Sequence, residues 1–199
     1  MKVLVATSNK GKISEISQIL SGTGISILTP QEAGLRLDVE EDGETFEANA
    51  VLKAHAWRRA SGYPTLADDS GLCVDALAGR PGVHTARFAG DDATDQENYE
   101  LLLKLMEGIT DRKAHFMCAV ALSISDDIVI TAFGRCDGVI LHEAIGEGGF
   151  GYDPVFGDSE TGKSFAQLSD NEKNTRSHRS RALISLKQKL EEQGLIEHI

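Results

Sequence analysis

The sequence predicts an α/β protein: a single domain over residues 1–199, in two lobes with an active-site cleft between them, on a central mixed, twisted sheet flanked by helices. Three observations point there. Short apolar runs alternate with helix-periodic segments through the first sixty residues. Residues 114–136 then switch to β-branched and apolar runs with a hairpin signal between them. No repeat, low-complexity tract or linker interrupts the chain. A run of strands after alternating strand and helix argues against a purely parallel, doubly wound sheet.

The elements follow in order. Residues 2–7 read as a buried strand and 11–21 as a helix, with Ile13, Ile16, Ile19 and Leu20 at helical spacing. Ile25-Ser26-Ile27-Leu28 is a short strand. Residues 44–60 predict a helix with Phe46, Ala50, Ala54 and Trp57 on one stripe. Thr65-Leu66-Ala67 is a short strand, and Leu72-Cys73-Val74 reads as another. Thr94-Asp95-Gln96-Glu97 has the form of a capping box and opens a helix through Met106. Residues 114–124 and 128–136 form strands around Ser125-Asp126-Asp127, and Val139-Ile140-Leu141 continues that sheet. Ser169-Asp170-Asn171-Glu172 is a second capping box, and a last helix covers about 177–192 with Leu183, Leu186 and Leu190 inward.

Composition excludes several function classes. Twenty Lys and Arg stand against 31 Asp and Glu, a net charge of −11, which argues against a sequence-independent grip on DNA or RNA. No apolar stretch approaches a membrane span, and no basic-then-apolar leader is visible. Cys73, Cys118 and Cys136 are odd in number, with no pair at metal-site spacing. They are expected as free thiols of a cytoplasmic protein. Such an acidic chain holds a polyphosphate only where its few cations converge, or where a divalent metal bridges carboxylate to phosphate.

Four stretches carry candidate chemistry. In the first, Thr7-Ser8-Asn9-Lys10-Gly11-Lys12 lies between a strand and a helix. Helix N-termini attract anions, and this loop adds hydroxyls, an amide, a glycine and two cations. It lacks the usual Gly-x4-Gly-Lys-Ser/Thr spacing, and a helix cap at Ser8 or Asn9 explains part of it equally well. The second stretch, 38–47, reads DVEEDGETFE. It fits a solvated acidic loop before a helix, yet Glu41 and Glu44 around Gly43 also offer hard oxygen ligands for Mg²⁺. Thr45, Asn49 and Lys53 follow on one helix face.

In the third stretch, Asp68 and Asp69 close a short apolar strand, with Ser70 and a Gly71 turn beyond. Adjacent strand residues face opposite ways, so the two carboxylates differ in role. One suits a metal, and the other suits a water to be oriented or deprotonated; an Asx-turn is the structural alternative. The fourth, 146–154 (GEGGFGYDP), combines glycines with Phe150 and Tyr152. Either ring suits stacking on a base, and Asp153 suits a ring N–H, against the alternative of a glycine-rich hairpin with core aromatics.

Lys173, Arg176, Ser177, His178, Arg179 and Arg181 form a basic cluster at the mouth of the last helix. Positive charge there is unfavourable and calls for an anion nearby. Arg80 and Arg87 are further candidate cations, and His84 between them reads as structural.

The order of these motifs is more specific than any one of them. T-S-N-x-G-K, E-E-x-G-x-T-F-x-x-N-A-x-x-K-A, A-D-D-S-G-L, P-G-V-H-T-A-R-F-A-G, G-G-F-G-Y-D-P and E-K-x-x-x-S-H-R occur in register from residue 3 to about 183. This pattern resembles the inosine triphosphate pyrophosphatase family, whose members hydrolyse non-standard purine nucleoside triphosphates. The resemblance implies an elongated two-lobed fold, a homodimer, Mg²⁺ as cofactor and a purine nucleoside triphosphate as substrate. It implies that Thr7, Ser8, Asn9, Lys10, Gly11 and Lys12 bind phosphate. Glu41 and Asp69 would hold the metal, with Asp69 activating water and Asp68 and Lys53 supporting it. Ser70 would contact substrate; Phe150, Gly151, Tyr152 and Asp153 would enclose the base; Lys173, His178 and Arg179 would hold the nucleotide from the other side. His84 stands where a tyrosine is common in the family, and Lys10 lies at a variable loop position.

Base choice then follows from hydrogen-bond sign. A donor such as Arg179 or protonated His178 donates to the C6 carbonyl of inosine or xanthosine and rejects the amino group of adenosine. Trp57 and apolar neighbours are candidates for the dimer contact. Septum-site nucleotide pyrophosphatases acting on dTTP or modified pyrimidines are the alternative enzyme class. A non-catalytic nucleotide sensor and a phosphate-monoester phosphatase are further alternatives.

Overall fold

The computed structural model describes residues 1–196. Six strands and five α-helices order the chain: β1 (Lys2–Val5), α1 (Lys10–Ile19), β2 (Ser26–Leu28), α2 (Phe46–Ser61), β3 (Thr65–Val74), α3 (Asp95–Leu105), β4 (Lys113–Ser123), β5 (Val129–Ile140), β6 (Phe156–Asp158), α4 (Asp170–Arg176) and α5 (His178–Glu192). The strands form one sheet in the order β2-β1-β3-β4-β5-β6. It is mixed: β1 pairs with β2 and β3 in parallel, and β5 pairs with β6 antiparallel. The chain divides into two compact units, one of Met1–Asp69, Cys118–Gly134 and the chain from His178 on, the other of Ser70–Met117 and Arg135–Ser177.

In the first unit the sheet has two differently built faces. Val3, Val5, Leu66, Cys118, Val120 and Leu122 pack with Ile16 and Leu20 of α1 and with Leu183, Leu186 and Leu190 of α5. Leu4, Ala6, Ala67, Ala119 and Ala121 take the opposite face, with Ala50, Ala54 and Trp57 of α2. The period of two along each strand produces this division. Alanines on both sides bring α2 close to the sheet. Trp57, expected near an interface, is instead a core residue only 6% exposed.

The second unit has its own core, in which Phe116, Phe156 and Phe165 meet. Phe156 stands edge-on to Phe116 and to Phe165, at 4.6 and 4.9 Å between ring centroids.

Three expected elements differ. The two short strands around Asp68 and Asp69 are one ten-residue strand, β3. Gly71 is buried and has no positive φ, so the expected turn does not form. The carboxylates that suggested a strand end have polar partners within the fold, described below. Likewise β5 runs unbroken to Ile140, and the three-residue β6 follows the glycine-rich segment without an alternation to announce it. The final basic segment is two helices, because Ser177 (φ −64°, ψ 150°) ends α4 and α5 starts at His178. Lys173 and Arg176 therefore sit in the last turn of α4, where cations suit the helix dipole. His178 and Arg179 open α5. All three cysteines are free thiols. Among the described residues, no helix is long and apolar enough to cross a membrane.

Where α5 begins, it lies against Gly134 of β5. A Cβ on Gly134 would come within 2.0 Å of the His178 carbonyl oxygen and 2.4 Å of the Ala182 nitrogen. Backbone atoms cannot swing aside as side-chain ends do. Gly134→Ala is therefore expected to cost about 1–3 kcal/mol or more by overpacking, read as a lower urea midpoint.

Candidate active site

The site is built around the corner where β1 meets α1. Asn9 is the N-cap of α1, its Oδ1 accepting from Lys12 N at 3.1 Å. Thr7 Oγ1 accepts from Asn9 N at 3.2 Å and stiffens the same turn. Capping thus falls to Asn9, while Ser8, Lys10 and Gly11 stay exposed. The first turn of α1 has no acidic residue, so its partial positive charge is not countered locally. A groove of about 420 Å³ opens beside the corner, lined by Thr7, Ser8, Lys10, Ile13, Ser14, Thr29, Pro30 and Gln31. These are the features of an anion-receiving loop.

Asp68 and Asp69 sit side by side in β3 and face opposite layers, as strand alternation requires. Asp68 shares its face with Leu66 and turns toward α1 and α5. Its Oδ2 accepts from Lys12 Nζ at 2.8 Å and from Arg179 Nε at 3.2 Å. Arg179 Nη1 donates to Glu15 Oε2 at 2.8 Å. The pair is deeply buried, with Asp68 and Arg179 side chains 3% and 2% exposed. Burial alone would push the Asp68 carboxyl up. The charges of Lys12, Arg179 and Lys53 override it and hold that carboxyl well below the usual carboxylate range. On Arg179, burial acts against the charge, and Asp68 and Glu15 outweigh it and keep the guanidinium firmly protonated. The anion that the basic start of α5 called for is thus supplied by the protein itself.

Asp69 turns the other way, toward α2. Asn49 Nδ2 donates to Asp69 Oδ2 at 3.0 Å, and Asn49 Oδ1 accepts from Gly43 N at 2.8 Å. One helical turn further, Lys53 Nζ pairs with Glu41 Oε1 at 2.7 Å and donates to the Asp68 carbonyl at 3.2 Å. Thr45 caps α2 by accepting from Ala48 N at 3.1 Å. The expected face of Thr45, Asn49 and Lys53 therefore exists, and its last two members hold the two candidate metal ligands, Asp69 and Glu41.

Both candidate ligands offer hard oxygens. Mg²⁺ commonly takes one or two carboxylates and completes its octahedron with water and phosphate oxygens, so this donor set fits it. Among the described residues no group of three or more His, Cys, Asp or Glu forms a fuller cage. Of the other acids in that stretch, Glu40, Asp42 and Glu44 are exposed.

The glycine-rich segment lies in the second unit. Asp153 is buried, and its Oδ2 accepts from Phe150 N at 2.8 Å and from Lys173 Nζ at 2.5 Å. Gly149 (φ 77°) has no room for a side chain, since a Cβ there would come within 2.1 Å of that carboxylate oxygen. Gly151 N donates to Asp95 Oδ2 at 2.7 Å. Tyr152 is 3% exposed, and its hydroxyl donates to the Thr85 carbonyl at 3.0 Å. Tyr152 is thus a core anchor, not a stacking ring, and Asp153 organises the loop. Phe150 is 41% exposed, with Lys173 Nζ 4.5 Å from its ring centroid. Ser70 follows Asp69 in β3 and is half-buried. Ser177, His178 and Arg179 are all buried; Arg80, His84 and Arg87 are exposed.

Two residues of these networks, Glu15 and Asp95, were not among the expected site residues, whereas Asn49 belongs to the expected polar face of α2. Glu15 lies one turn after Lys12 on α1, a spacing that could have flagged it. Asn49 was visible as a polar residue beside an apolar stripe. Asp95 was legible only as part of a capping box; its contact with Gly151 bridges 56 positions of sequence.

A strand–loop–helix corner open to anions, beside carboxylates fixed for a hard cation, defines a phosphate-handling α/β protein. The chain belongs to the Ham1 family, which it matches over residues 3–189. It is 47% identical over 185 residues to the dITP/XTP pyrophosphatase of Desulforamulus reducens, covering 92% of each chain. To the dITP/XTP pyrophosphatase of Geobacillus kaustophilus it is 45% identical, covering 96% of this chain and 95% of that one. The solved Ham1 protein of Staphylococcus aureus superposes with a TM-score of 0.88 at 39% identity, over 97% of this chain and all of that one. These likenesses bear out the family resemblance and the α/β fold read from the sequence.

The buried ion pair has a measurable consequence. Arg179→Met leaves the buried Asp68 with Lys12 but removes its second cationic donor and the donor to Glu15, so it is expected to cost up to about 3–5 kcal/mol in denaturant unfolding at neutral pH. Because the folded-state pKa of Asp68 is depressed, its stabilising contribution is complete above the unfolded value of about 3.9. That contribution is lost as pH falls below it toward the folded value. The wild-type advantage over Arg179→Met should therefore shrink in acid.

Proposed function

We propose that the protein is a nucleoside-triphosphate pyrophosphatase that hydrolyses non-standard purine nucleotides (ITP, dITP and XTP) to the monophosphate and pyrophosphate. The observation that carries the reading is the pair of networks on β3, Lys12–Asp68–Arg179–Glu15 on one face and Asn49–Asp69 on the other. The names of the relatives in Desulforamulus reducens and Geobacillus kaustophilus support the substrate class.

In this reading Thr7, Ser8, Asn9, Lys10, Gly11 and Lys12, with the start of α1, receive the triphosphate. Glu41 and Asp69 hold Mg²⁺, which when bound neutralises phosphate charge and polarises the reacting phosphoryl group. Asp69 takes the proton of the water that attacks the α-phosphorus. A new P–O bond forms to that water. The bond to the bridging oxygen breaks, and pyrophosphate leaves with the electron pair, stabilised by Lys12 and the loop donors. Lys53 positions Glu41. Asp68, kept ionised by Arg179, orients Lys12.

Phe150 stacks on the base, Gly151, Tyr152 and Asp153 shape its loop, and Ser70 contacts the substrate. Nε and Nη1 of Arg179 already engage Asp68 and Glu15. The donor to a C6 carbonyl is Arg179 or His178, and Lys173 helps to hold the nucleotide. A donor facing the amino group of adenosine is left unmatched, which supports discrimination of about 100-fold or more. A cytoplasmic homodimer completes the reading, and light scattering should report the mass of two chains.

The experiment is product analysis with ITP, XTP, ATP, GTP and dTTP in Mg²⁺. Pyrophosphate and monophosphate should come from ITP and XTP, with little from ATP. Turnover mainly of dTTP, or release of orthophosphate alone, would overturn the reading. Asp69→Asn should lower kcat by about 10²- to 10⁴-fold while nucleotide binding persists. Phe150→Ala should raise KM for every purine substrate.

A further inference from the structure

Asn49 is one of the most deeply enclosed polar side chains of the chain, at 1% exposure. It lies on the apolar side of α2, one position before Ala50. A buried side-chain amide is costly unless its donors and acceptor are used. Here its two ends reach two different parts of the chain, one a backbone amide and the other a side-chain carboxylate. Oδ1 accepts from Gly43 N at 2.8 Å, and Nδ2 donates to Asp69 Oδ2 at 3.0 Å. Gly43 is two residues after Glu41, and it is tightly fitted: a Cβ would come within 2.6 Å of Asn49 Oδ1 and 3.0 Å of Ala48 Cβ.

We propose that Asn49 is a positioning residue for the metal centre, whose one buried amide fixes the Asp69 carboxylate and the loop carrying Glu41 in a common frame. The proposal rests on the reading of Glu41 and Asp69 as metal ligands. A cation that demands near-ideal octahedral geometry at short distances tolerates little scatter between its carboxylates. Glu41 comes from an irregular acidic loop and Asp69 from a central strand, 28 positions later in sequence. Nothing in local backbone geometry ties those two together. The amide does so directly, because its donor and acceptor are held rigidly in one plane. By donating to Oδ2, it also sets the rotation of the Asp69 carboxylate. Outer hydrogen bonds of this kind affect metal affinity by about 10- to 100-fold. Lys53, four residues on, acts on Glu41 by charge; Asn49 adds orientation without competing for the cation's charge.

The test is Mn²⁺ binding to the full chain without nucleotide, read by the loss of the free-ion paramagnetic signal, with thermal melting of each metal-free variant alongside. Asn49→Leu keeps the branching and the number of side-chain heavy atoms and removes both hydrogen bonds. Gly43→Ala leaves the Asn49–Asp69 bond in place but pushes the loop off the amide. Both are expected to raise the Mn²⁺ dissociation constant by about tenfold or more while remaining folded.

Unchanged Mn²⁺ affinity in a folded Asn49→Leu protein would overturn the proposal. If Asn49→Leu does not fold, Gly43→Ala decides alone: a normal dissociation constant overturns the positioning role. A variant that melts earlier yet binds Mn²⁺ normally would show a structural role only, which also overturns it. Glu41→Gln and Asp69→Asn are the controls for the underlying reading. If those leave Mn²⁺ binding intact, the ligand assignment fails, and the proposal fails with it. If they abolish binding and Asn49→Leu does not weaken it, only the positioning role fails.

Discussion

The first unit depends on one buried charge pair, Arg179 with Asp68. An ionised carboxylate inside a strand is tolerable only with cations and hydrogen-bond donors at hand. Lys12 and Arg179 supply them, and Glu15 accepts from the other end of the guanidinium. The pair therefore joins α1, β3 and α5 at one point. It also explains why a helix can begin with His178 and Arg179, where positive charge is otherwise disfavoured. Gly134 matters for the same reason, because the first turn of α5 must come close to β5 for Arg179 to reach inward.

From that constraint the division of labour on β3 follows. Successive side chains of a strand point to opposite faces, so two adjacent aspartates cannot serve the same neighbours. Asp68 is committed to the layer of α1 and α5, where it holds Lys12 at the start of α1. Asp69 is committed to the layer of α2, where Asn49 and Lys53 gather two carboxylates. In the proposed function, a single strand thus places an anion organiser on one face and a cation holder on the other, separated only by backbone. Chemistry on a triphosphate needs both, because phosphate oxygens require positive charge and the attacking water requires a base.

The second unit solves a different problem. Its glycine-rich loop is firm in backbone yet leaves one ring exposed. Asp153 gathers the Phe150 amide and Lys173, Asp95 gathers the Gly151 amide, and Tyr152 is anchored on Thr85. Three polar anchors within four residues hold the backbone, and Phe150 alone keeps substantial ring surface open. Tyr152 and Asp153 thus brace the loop that carries the exposed Phe150 ring.

Much of the architecture was legible in the sequence alone. Hydrophobic period placed α1, α2 and the inward leucines of α5. Capping chemistry placed the starts of α3 and α4, and alternation put Asp68 and Asp69 on opposite faces. These are local properties, set within a few residues by helix geometry, pleat and side-chain hydrogen bonding. The tertiary structure decided the rest. It made one strand of the segment around Asp68 and Asp69, because polar partners arrive from helices distant in sequence. It drew Trp57 into the core and turned Tyr152 inward. It gave Arg179 to Asp68 and Glu15, across 111 and 164 positions of sequence. Residue type states what a side chain can donate, accept or bury; only the folded chain determines which partner is within three ångströms of it, since hydrogen bonds and ion pairs are decided by distance in space.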